Sequence, residues 1–286
     1  MLQSYAVGDL QRWQLLQGGV ENTNHLVETP KGSFILTLCE RKTVEETQAL
    51  ASLLEHFDKQ QFPTSKIFKN RKGQLVSTFQ NKPVLLKSFL AGKVVTEPSK
   101  EIIHQIGTQM GRLHQVPAPQ FLPKQFSYGQ QTFHSLYASK TNHPFVGWLR
   151  KKHAFVIQNT ASNLPKALIH GDIFASNVIV ASDGQPTLMD FEEACHYYRV
   201  FDLGMAIVGL CSPNGKVDKD KVNTLIEGYE TVTPLLSVEK KQLPLFTIYA
   251  ATATAFWRFR QFNLLVFNED RKEDYRAMQA IADTSF

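Results

Sequence analysis

The sequence has few cysteines, and they are not arranged for a disulfide framework or a zinc site. Only three occur in 286 residues, at Cys39, Cys195 and Cys211, and no two form a Cys-x-x-Cys pair. Isolated thiols of this kind are typical of a reducing compartment, where disulfides do not persist. The sequence also lacks a basic-then-apolar signal pattern at its start and any apolar run long enough to span a bilayer. We therefore expect a cytoplasmic protein that makes no membrane contact.

A strong excess of one charge is also missing. Lysine and arginine total 31 against 26 aspartates and glutamates, which gives a formal net charge of +5, and no dense basic tract concentrates it. This distribution argues against a nucleic-acid partner and is compatible with a small anionic substrate. Apolar residues make up 43% of the chain, which is enough to bury a large core in one or two domains.

Short strands dominate the beginning of the chain. Residues 12–40 resemble a three-stranded meander, and the capping box at 43–46 opens a helix that continues to about Lys59. Further strand segments are indicated at 66–69, 74–79 and 84–90. We predict a small domain over residues 1–90 that contains a five-stranded antiparallel sheet and one helix.

Helical periodicity dominates the remainder. Apolar residues recur at helical spacing over 98–116, within 132–159, and in two later runs at 222–231 and 238–267. Nothing repeats at a solenoid period. Residues 91–286 are therefore predicted to form a larger, mostly helical domain, and the whole chain is predicted to be an α+β protein.

Three polar residues stand at fixed spacing among short apolar runs of the second domain. A His-Gly-Asp segment ends at Asp172, Asn177 follows five residues later, and after a turn a third apolar run leads to Asp190. We interpret the runs as short buried strands and a hairpin that hold these side chains at their ends. Phosphoryl transfer needs such a set, because one carboxylate deprotonates a hydroxyl while an amide oxygen and a second carboxylate hold Mg²⁺. The alternative is a hairpin with solvated polar ends.

A glycine-led polar loop between the first two strands is a candidate phosphate-binding element. Gly18 and Gly19 open this loop, and Asn22 and Asn24 follow. A glycine backbone can direct its N–H groups at a phosphate. The alternative is a simple turn, which is what most Gly-Gly pairs form.

In this order the glycine loop, the His-Gly-Asp-x-x-x-x-Asn motif and Asp-Phe resemble the aminoglycoside-phosphotransferase-like branch of the protein-kinase fold, over essentially the whole chain. The resemblance implies a bilobal fold and an ATP- and Mg²⁺-dependent kinase that acts on the hydroxyl of a small metabolite. Residues 18–24 and 34–41 look like the homoserine kinases of this fold. Residues 190–194 and 197–204 look like choline and ethanolamine kinases.

The resemblance also assigns roles to individual residues. Asp172 would be the catalytic base, and Asn177 and Asp190 would hold Mg²⁺. Thr37 stands where protein kinases place a lysine on the third strand, so the phosphates must be neutralised by other groups. Glu192 stands where protein kinases have a glycine and would lie near metal or substrate. The implied ATP-binding set is Gly18, Gly19, Asn22, Asn24 and Thr37.

Three further residues receive supporting roles. His170 is expected to brace the catalytic loop by hydrogen bonding. Asp202 is expected to cap a buried helix and to tie down the same loop. Glu46 is interpreted as part of the capping box at 43–46 and not as a catalytic glutamate.

Two acceptors fit the implied activity. Homoserine carries an ammonium and a carboxylate, so Glu192 or Glu193 would meet the first and Arg258 or Arg260 the second. Residues two apart on a helix point about 200° apart; we favour Arg260, with Arg258 facing solvent or the other lobe. Choline would instead need an acid with aromatic walls, for which the candidates are Tyr197, Tyr198 and Trp257.

We favour homoserine over choline, ethanolamine or an aminoglycoside because the motifs of the first domain carry that resemblance. A non-catalytic pseudokinase is the rival from another class, and Thr37 motivates it. The intact set of Asp172, Asn177 and Asp190 argues against that rival. The partner is expected to be a small-molecule alcohol, and the protein a monomer or a homodimer.

Overall fold

The computed structural model describes residues 2–16, 22–139 and 141–284. The chain forms two compact units. The first contains Met1–Lys93 with Pro119–Phe121, and the second contains Val94–Ala118 with Leu122–Phe286. The assignment of nucleotide binding to the first and of catalysis to the second stays a prediction.

The first unit is built on an antiparallel sheet. Its elements are β1 (Arg12–Leu15), β2 (Asn22–Thr29), β3 (Gly32–Cys39), α1 (Val44–Lys59), β4 (Ser77–Phe79) and β5 (Lys82–Ser88). The strands lie in the order β1-β2-β3-β5-β4, and every neighbouring pair is antiparallel. The predicted five-stranded sheet with one helix is therefore confirmed.

The segment 66–69 does not form a strand, in contrast to the prediction. It contributes only an isolated bridge between Ile67 and Lys87. The turn at Gln80 and Asn81, with φ of 50° and 64°, folds β4 directly back onto β5. Two consecutive positive φ values are typical of a tight two-residue hairpin. The segment 66–69 contacts the other end of β5 through two backbone hydrogen bonds at 2.8 Å, from the Phe68 amide to the Leu86 carbonyl and from the Ser88 amide to the Lys66 carbonyl.

Two apolar clusters bury the sheet on opposite sides. One cluster joins Tyr5 and Val7 to Val27, Phe34 and Leu86. The other joins Ala51 of α1 to Cys39, Leu75, Val76 and Leu85. Successive strand residues point to opposite faces, so β5 needs consecutive apolar residues, and Val84, Leu85 and Leu86 are all fully buried.

The start of α1 forms as the sequence predicts. The Thr43 hydroxyl accepts a hydrogen bond from the Glu46 amide, and the Glu46 carboxylate accepts one from the Thr43 amide at 2.8 Å. This reciprocal pair satisfies two N–H groups that a helix start leaves open. Glu46 is thus a capping residue.

The second unit is mostly helical, as predicted. Its helices are α2 (Lys100–Leu113), α3 (His134–Tyr137), α4 (Pro144–Asn159), α5 (Arg199–Leu210), α6 (Lys219–Glu230), α7 (Ser237–Arg260) and α8 (Tyr275–Thr284). Strand β6 (Lys93–Val94) begins at the last residue of the first unit, and the later strands are β7 (Lys166–Ile169), β8 (Val178–Val180), β9 (Pro186–Leu188) and β10 (Cys195–Tyr198). They form a three-stranded sheet, β6-β8-β9, and a two-stranded sheet, β10-β7.

Helix α5 forms the centre of this unit. All of its residues from Val200 to Leu210 except Gly209 are buried. A helix that is apolar on all sides must be enclosed by other elements. Its position in the core fixes Asp202, the acidic residue of its first turn, inside the protein.

Helices α2 and α6 approach each other closely because each carries a glycine at the crossing. A Cβ atom on Gly107 would lie 2.2 Å from the Leu225 carbonyl oxygen, and one on Gly228 would lie 2.0 Å from that of His104. Neither distance is compatible with a side chain, so the crossing requires glycine on both helices.

Among the residues that the structure describes, no helix has the length and hydrophobicity needed to cross a membrane.

Candidate active site

The candidate catalytic loop, residues 170–177, begins with a sharp turn after β7. Gly171 has a φ of +83°, and a Cβ atom there would lie 2.8 Å from the Glu193 carbonyl oxygen and 3.0 Å from the Phe126 ring. Glycine adopts positive φ without steric cost, which other residues do not. The central position of the His-Gly-Asp motif therefore requires glycine in this fold.

Asp202 ties this loop to the core. Its carboxylate accepts hydrogen bonds from the His170 amide at 3.0 Å, the Gly171 amide at 2.7 Å and the His114 Nε2 at 3.0 Å. Burial alone would raise the pKa of Asp202, but these hydrogen bonds and the nearby histidines hold it below its usual range. The predicted tie is confirmed. The predicted helix cap is wrong, because α5 starts at Arg199 and its N-cap is Tyr198.

His170 links the loop to the following hairpin. Its Nδ1 accepts a hydrogen bond from the Asp172 amide at 3.2 Å, which requires the ring proton to be on Nε2. Nε2 then donates to the Met189 carbonyl at 2.9 Å. The expected bracing role of His170 therefore matches its contacts.

Both carboxylate oxygens of Asp172 are held in place. The Tyr128 hydroxyl donates to Oδ1 at 2.9 Å, and the Asn177 side-chain nitrogen donates to Oδ2 at 2.8 Å. Burial raises the pKa of Asp172, although these hydrogen bonds and His170 act in the opposite direction. A fixed carboxylate with a raised pKa has the properties of a general base. Tyr128 has no signal in the sequence, because it lies 44 residues before Asp172 in an irregular segment.

Asn177 and Asp190 lie at the same end of the β8–β9 hairpin. The strands pair Val178 with Leu188, and the Met189 amide donates to the Asn177 carbonyl at 2.9 Å. Asp190 has a φ of +66° and an exposed side chain. Such a conformation is costly for an aspartate and is concentrated at functional sites.

These two residues fit a magnesium ion. The Asn177 nitrogen is engaged by Asp172, so its side-chain oxygen is the atom that remains for a ligand, and Asp190 supplies a second hard oxygen. Within residues 2–16, 22–139 and 141–284, no group of three or more His, Cys, Asp and Glu side chains forms a metal site. Phosphate oxygens and water usually complete a Mg²⁺ shell of this kind.

The predicted nucleotide-binding residues lie in the first unit. Asn24 of β2 and Thr37 of β3 are cross-strand partners, and the Thr37 hydroxyl donates to the Asn24 side-chain oxygen at 2.7 Å. Asn22 faces Cys39 in the same pair of strands. Gly18 and Gly19 lie outside the described residues.

The acidic and basic candidates for the acceptor are distributed differently from the prediction. Glu192 and Glu193 are both partly buried, and the Ser127 hydroxyl donates to the Glu193 carboxylate. Arg258 is also partly buried and lies within electrostatic range of Asp172. Arg260 is exposed. Arg258 therefore does not face solvent freely, whereas the Arg260 side chain is exposed, and the carboxylate-binding role expected of Arg260 stays a prediction.

The aromatic residues proposed for choline differ in burial, because Tyr197 is buried whereas Tyr198 and Trp257 are partly buried. Tyr197 is buried in the core, where its ring contacts Phe201 at 5.6 Å and its hydroxyl lies 3.5 Å from that of Tyr249. The Tyr198 ring lies 4.7 Å from that of Tyr197, and the Trp257 ring lies 6.4 Å from that of Tyr128. Tyr197 is thus a core residue.

Comparison with solved structures agrees with the predicted protein-kinase-like fold. An amicoumacin kinase in complex with AMP-PNP, Ca²⁺ and Ami superposes with a TM-score of 0.80 at 15% identity, covering 99% of this chain and 92% of the other. The choline kinase of Streptococcus pneumoniae superposes with a TM-score of 0.68 at 14% identity, covering 96% and 94%. The predicted fold class is therefore confirmed.

Sequence comparison identifies the family. A homoserine kinase of Methylobacterium radiotolerans is 28% identical over 258 residues, which are 87% of this chain and 80% of that protein. Residues 12–235 match the family described as phosphotransferase enzymes. This match covers most of the chain and confirms the prediction of a phosphotransferase. The protein is a member of the phosphotransferase enzyme family.

Proposed function

We propose that the protein is an ATP- and Mg²⁺-dependent kinase that phosphorylates the hydroxyl of homoserine. The observation that carries the proposal is the setting of Asp172, which is partly buried, held at both carboxylate oxygens and raised in pKa by that burial. The similarity to a homoserine kinase over most of both chains supports the choice of acceptor.

Asp172 would position the acceptor hydroxyl for attack on the γ-phosphorus of ATP. As the new oxygen–phosphorus bond forms and the bond to the β-phosphate oxygen breaks, the hydroxyl proton passes to Asp172 and ADP leaves. Tyr128 and Asn177 hold this carboxylate, so little reorganisation is needed at the moment of transfer.

Asn177 and Asp190 would hold Mg²⁺ by their side-chain oxygens, and the ion would neutralise charge on the phosphates. In the first unit, Asn22, Asn24 and Thr37 would contact the nucleotide, together with the backbone of Gly18 and Gly19. Thr37 supplies a hydroxyl without a charge, and its hydrogen bond to Asn24 aligns the two side chains.

The acceptor ammonium would meet an acid that follows the metal-binding hairpin. Glu192 and Glu193 both lie two to three residues after Asp190 and are partly buried. Charge attraction to an ammonium is stronger at such a site than in water. A hydroxylated amine is therefore the expected acceptor class, and homoserine belongs to it.

Choline or ethanolamine is the second candidate, because the chain has the fold of a choline kinase. The burial of Tyr197 in the core removes one wall of the aromatic cage that choline would need. We therefore place homoserine first.

An acceptor screen by coupled ADP release tests the proposal. Purified protein would be incubated with ATP, Mg²⁺ and one of homoserine, choline, ethanolamine, methylthioribose or an aminoglycoside. We expect the highest kcat/KM for homoserine, and no acceptor-dependent release from Asp172→Asn. A higher kcat/KM for choline would overturn the choice of acceptor. ATP binding without turnover on any acceptor would instead indicate a pseudokinase.

A further inference from the structure

We infer that Arg258 binds the carboxylate of the amino-acid acceptor. The inference rests on the proposed function and names a specificity residue for it. It concerns the last turn of α7, where Arg258 and Arg260 lie two residues apart but in different environments.

Arg258 lies beside the catalytic loop. Its guanidinium is 5.9 Å from the ring centroid of Phe174, two residues after Asp172. The preceding residue, Trp257, has its ring 6.4 Å from that of Tyr128, which donates to Asp172. Arg258 is therefore placed close to the base that would receive the acceptor hydroxyl proton.

The guanidinium forms no ion pair within 4.0 Å among the described residues, and the Asp274 and Asp172 carboxylates attract it only from farther away. It donates a hydrogen bond to the Asp274 backbone carbonyl at 3.1 Å. The Asp274 carboxylate binds Arg271 instead, at 2.9 Å. The two oxygens of Asp172 accept from Tyr128 and Asn177.

This setting is energetically unfavourable without an anion. Burial lowers the pKa of Arg258, which shows that its charge is poorly solvated. A buried charge without a partner is costly, and an anionic ligand that supplies the partner offsets that cost. An exposed arginine such as Arg260 has no such requirement.

A second unsatisfied donor lies one helical turn further on. The side-chain nitrogen of Gln261 is buried and has no hydrogen-bond partner in the described part of the chain. Residues three apart on a helix are neighbours on its surface. Buried donors are almost always satisfied, so an open one indicates a missing ligand or water.

A carboxylate matches these donors better than an isolated point charge would. A guanidinium presents paired N–H groups in a plane, which suits two-pronged binding of a carboxylate. Homoserine carries its carboxylate a short carbon chain away from the hydroxyl. One acceptor could thus reach both Asp172 and Arg258, whereas choline and ethanolamine have no carboxylate to offer.

Steady-state kinetics on two acceptors test the inference. The acceptors are L-homoserine and 3-aminopropanol, which is homoserine without its carboxylate. Arg258→Gln should lower kcat/KM for homoserine by about 10²- to 10³-fold, the range seen when one partner of a buried charge pair is removed. The value for 3-aminopropanol and the KM for ATP should change by less than about threefold. Arg260→Gln is the matched control on the same helix and should leave all values unchanged.

The outcomes separate the alternatives. Equal losses of kcat/KM on both acceptors would show a structural role for Arg258, and a raised KM for ATP would show a phosphate contact. Either result would overturn the inference about Arg258 but not the proposed function. A wild-type protein that phosphorylates 3-aminopropanol but not homoserine would overturn the proposed function as well. If Arg258→Gln does not fold, Arg258→Lys serves instead, because lysine keeps the charge but loses the paired contact. This variant should still lower kcat/KM for homoserine more than for 3-aminopropanol.

Discussion

At the residue scale, the proposed chemistry depends on how the Asp172 carboxylate is held. Asp172 lies between a tyrosine hydroxyl and an asparagine amide, and it is partly buried. The hydrogen bonds orient the two oxygens, and burial makes the carboxylate a stronger base. Neither effect would exist if these polar residues were the solvated ends of a hairpin.

Asp172→Asn should remove the base while keeping the shape of the loop. The amide cannot accept the acceptor proton, so we expect turnover to fall by about two to four orders of magnitude. ATP affinity, measured by titration calorimetry, and the unfolding temperature should change little. Turnover close to that of the wild type would contradict the assignment of the base.

Tyr128→Phe should change the pH dependence of the reaction. The hydroxyl of Tyr128 stabilises the carboxylate form of Asp172, so its removal raises the pKa of Asp172 further. The base works when it is deprotonated, and the acid limb of the kcat/KM profile should therefore move to higher pH. A limb that moves to lower pH, or does not move, would show that Tyr128 does not act on this carboxylate.

The sequence predicts some of these residues and not others. Asp172, Asn177 and Asp190 were predictable because one loop and one hairpin hold them at fixed spacing. Tyr128 comes from an irregular segment whose path depends on tertiary packing. The sequence does not distinguish Arg258 from Arg260 by burial, because α7 is buried along much of its length and its pattern of apolar residues does not identify one inward face.

At the scale of elements, the catalytic loop is fixed by a helix that has no contact with the chemistry itself. The carboxylate of Asp202 in α5 accepts hydrogen bonds from the backbone amides of His170 and Gly171 and from the ring of His114. His114 in turn contacts the Tyr229 hydroxyl of α6 at 2.8 Å. One buried carboxylate thus connects the loop to α2 and α6, so its loss should affect stability and activity together.

Asp202→Asn should destabilise the protein. The amide turns a nitrogen towards groups that are already donors, and we expect the free energy of unfolding at neutral pH to fall by about 2–4 kcal/mol. Asp270→Asn, at an exposed site, is the control. The lowered pKa of Asp202 stabilises the fold above the usual aspartate range, and this contribution is lost as the pH falls through the folded-state pKa. Urea titration as a function of pH checks both points. An unchanged free energy of unfolding at neutral pH would contradict the structural role of Asp202.

Gly228→Ala tests the close crossing of α2 and α6. The new Cβ would overlap the His104 carbonyl, so the helices must separate, and we expect a loss of about 1–3 kcal/mol in unfolding free energy. The matched control is Gly147→Ala in the exposed part of α4, where nothing lies within 4 Å. Alanine is the better helix former by roughly 0.5–1 kcal/mol, so this control should be neutral or stabilising. Similar changes in unfolding free energy for the two variants would argue against a close contact between α2 and α6 at Gly228.

The sequence predicts most elements but misses those that long-range pairing decides. The capping box of α1 forms as expected because its two hydrogen bonds are local. Strand β10 was not predicted, because its four residues are extended only through pairing with β7. The segment 66–69 has the composition of a strand, yet it forms only one bridge to β5.

At the scale of the whole molecule, the order of motifs along the chain predicted the fold class and the family. A strand-rich first part, a helical second part and the loop signatures occur in the same order as in protein kinases. The acceptor was harder to predict, because the proposed contacts to it involve side chains such as Arg258 and Glu193 whose burial only the fold reveals.

Phosphorus NMR of a reaction with ATP and homoserine tests the central claim most directly. We predict a new phosphate-ester resonance that appears with Mg²⁺, grows in step with ADP, and is absent when a chelator is added or when Asp172→Asn replaces the wild type. Mass spectrometry should identify the product as O-phosphohomoserine. ADP formed with inorganic phosphate alone, or ester formation that persists in the chelator, would contradict the account.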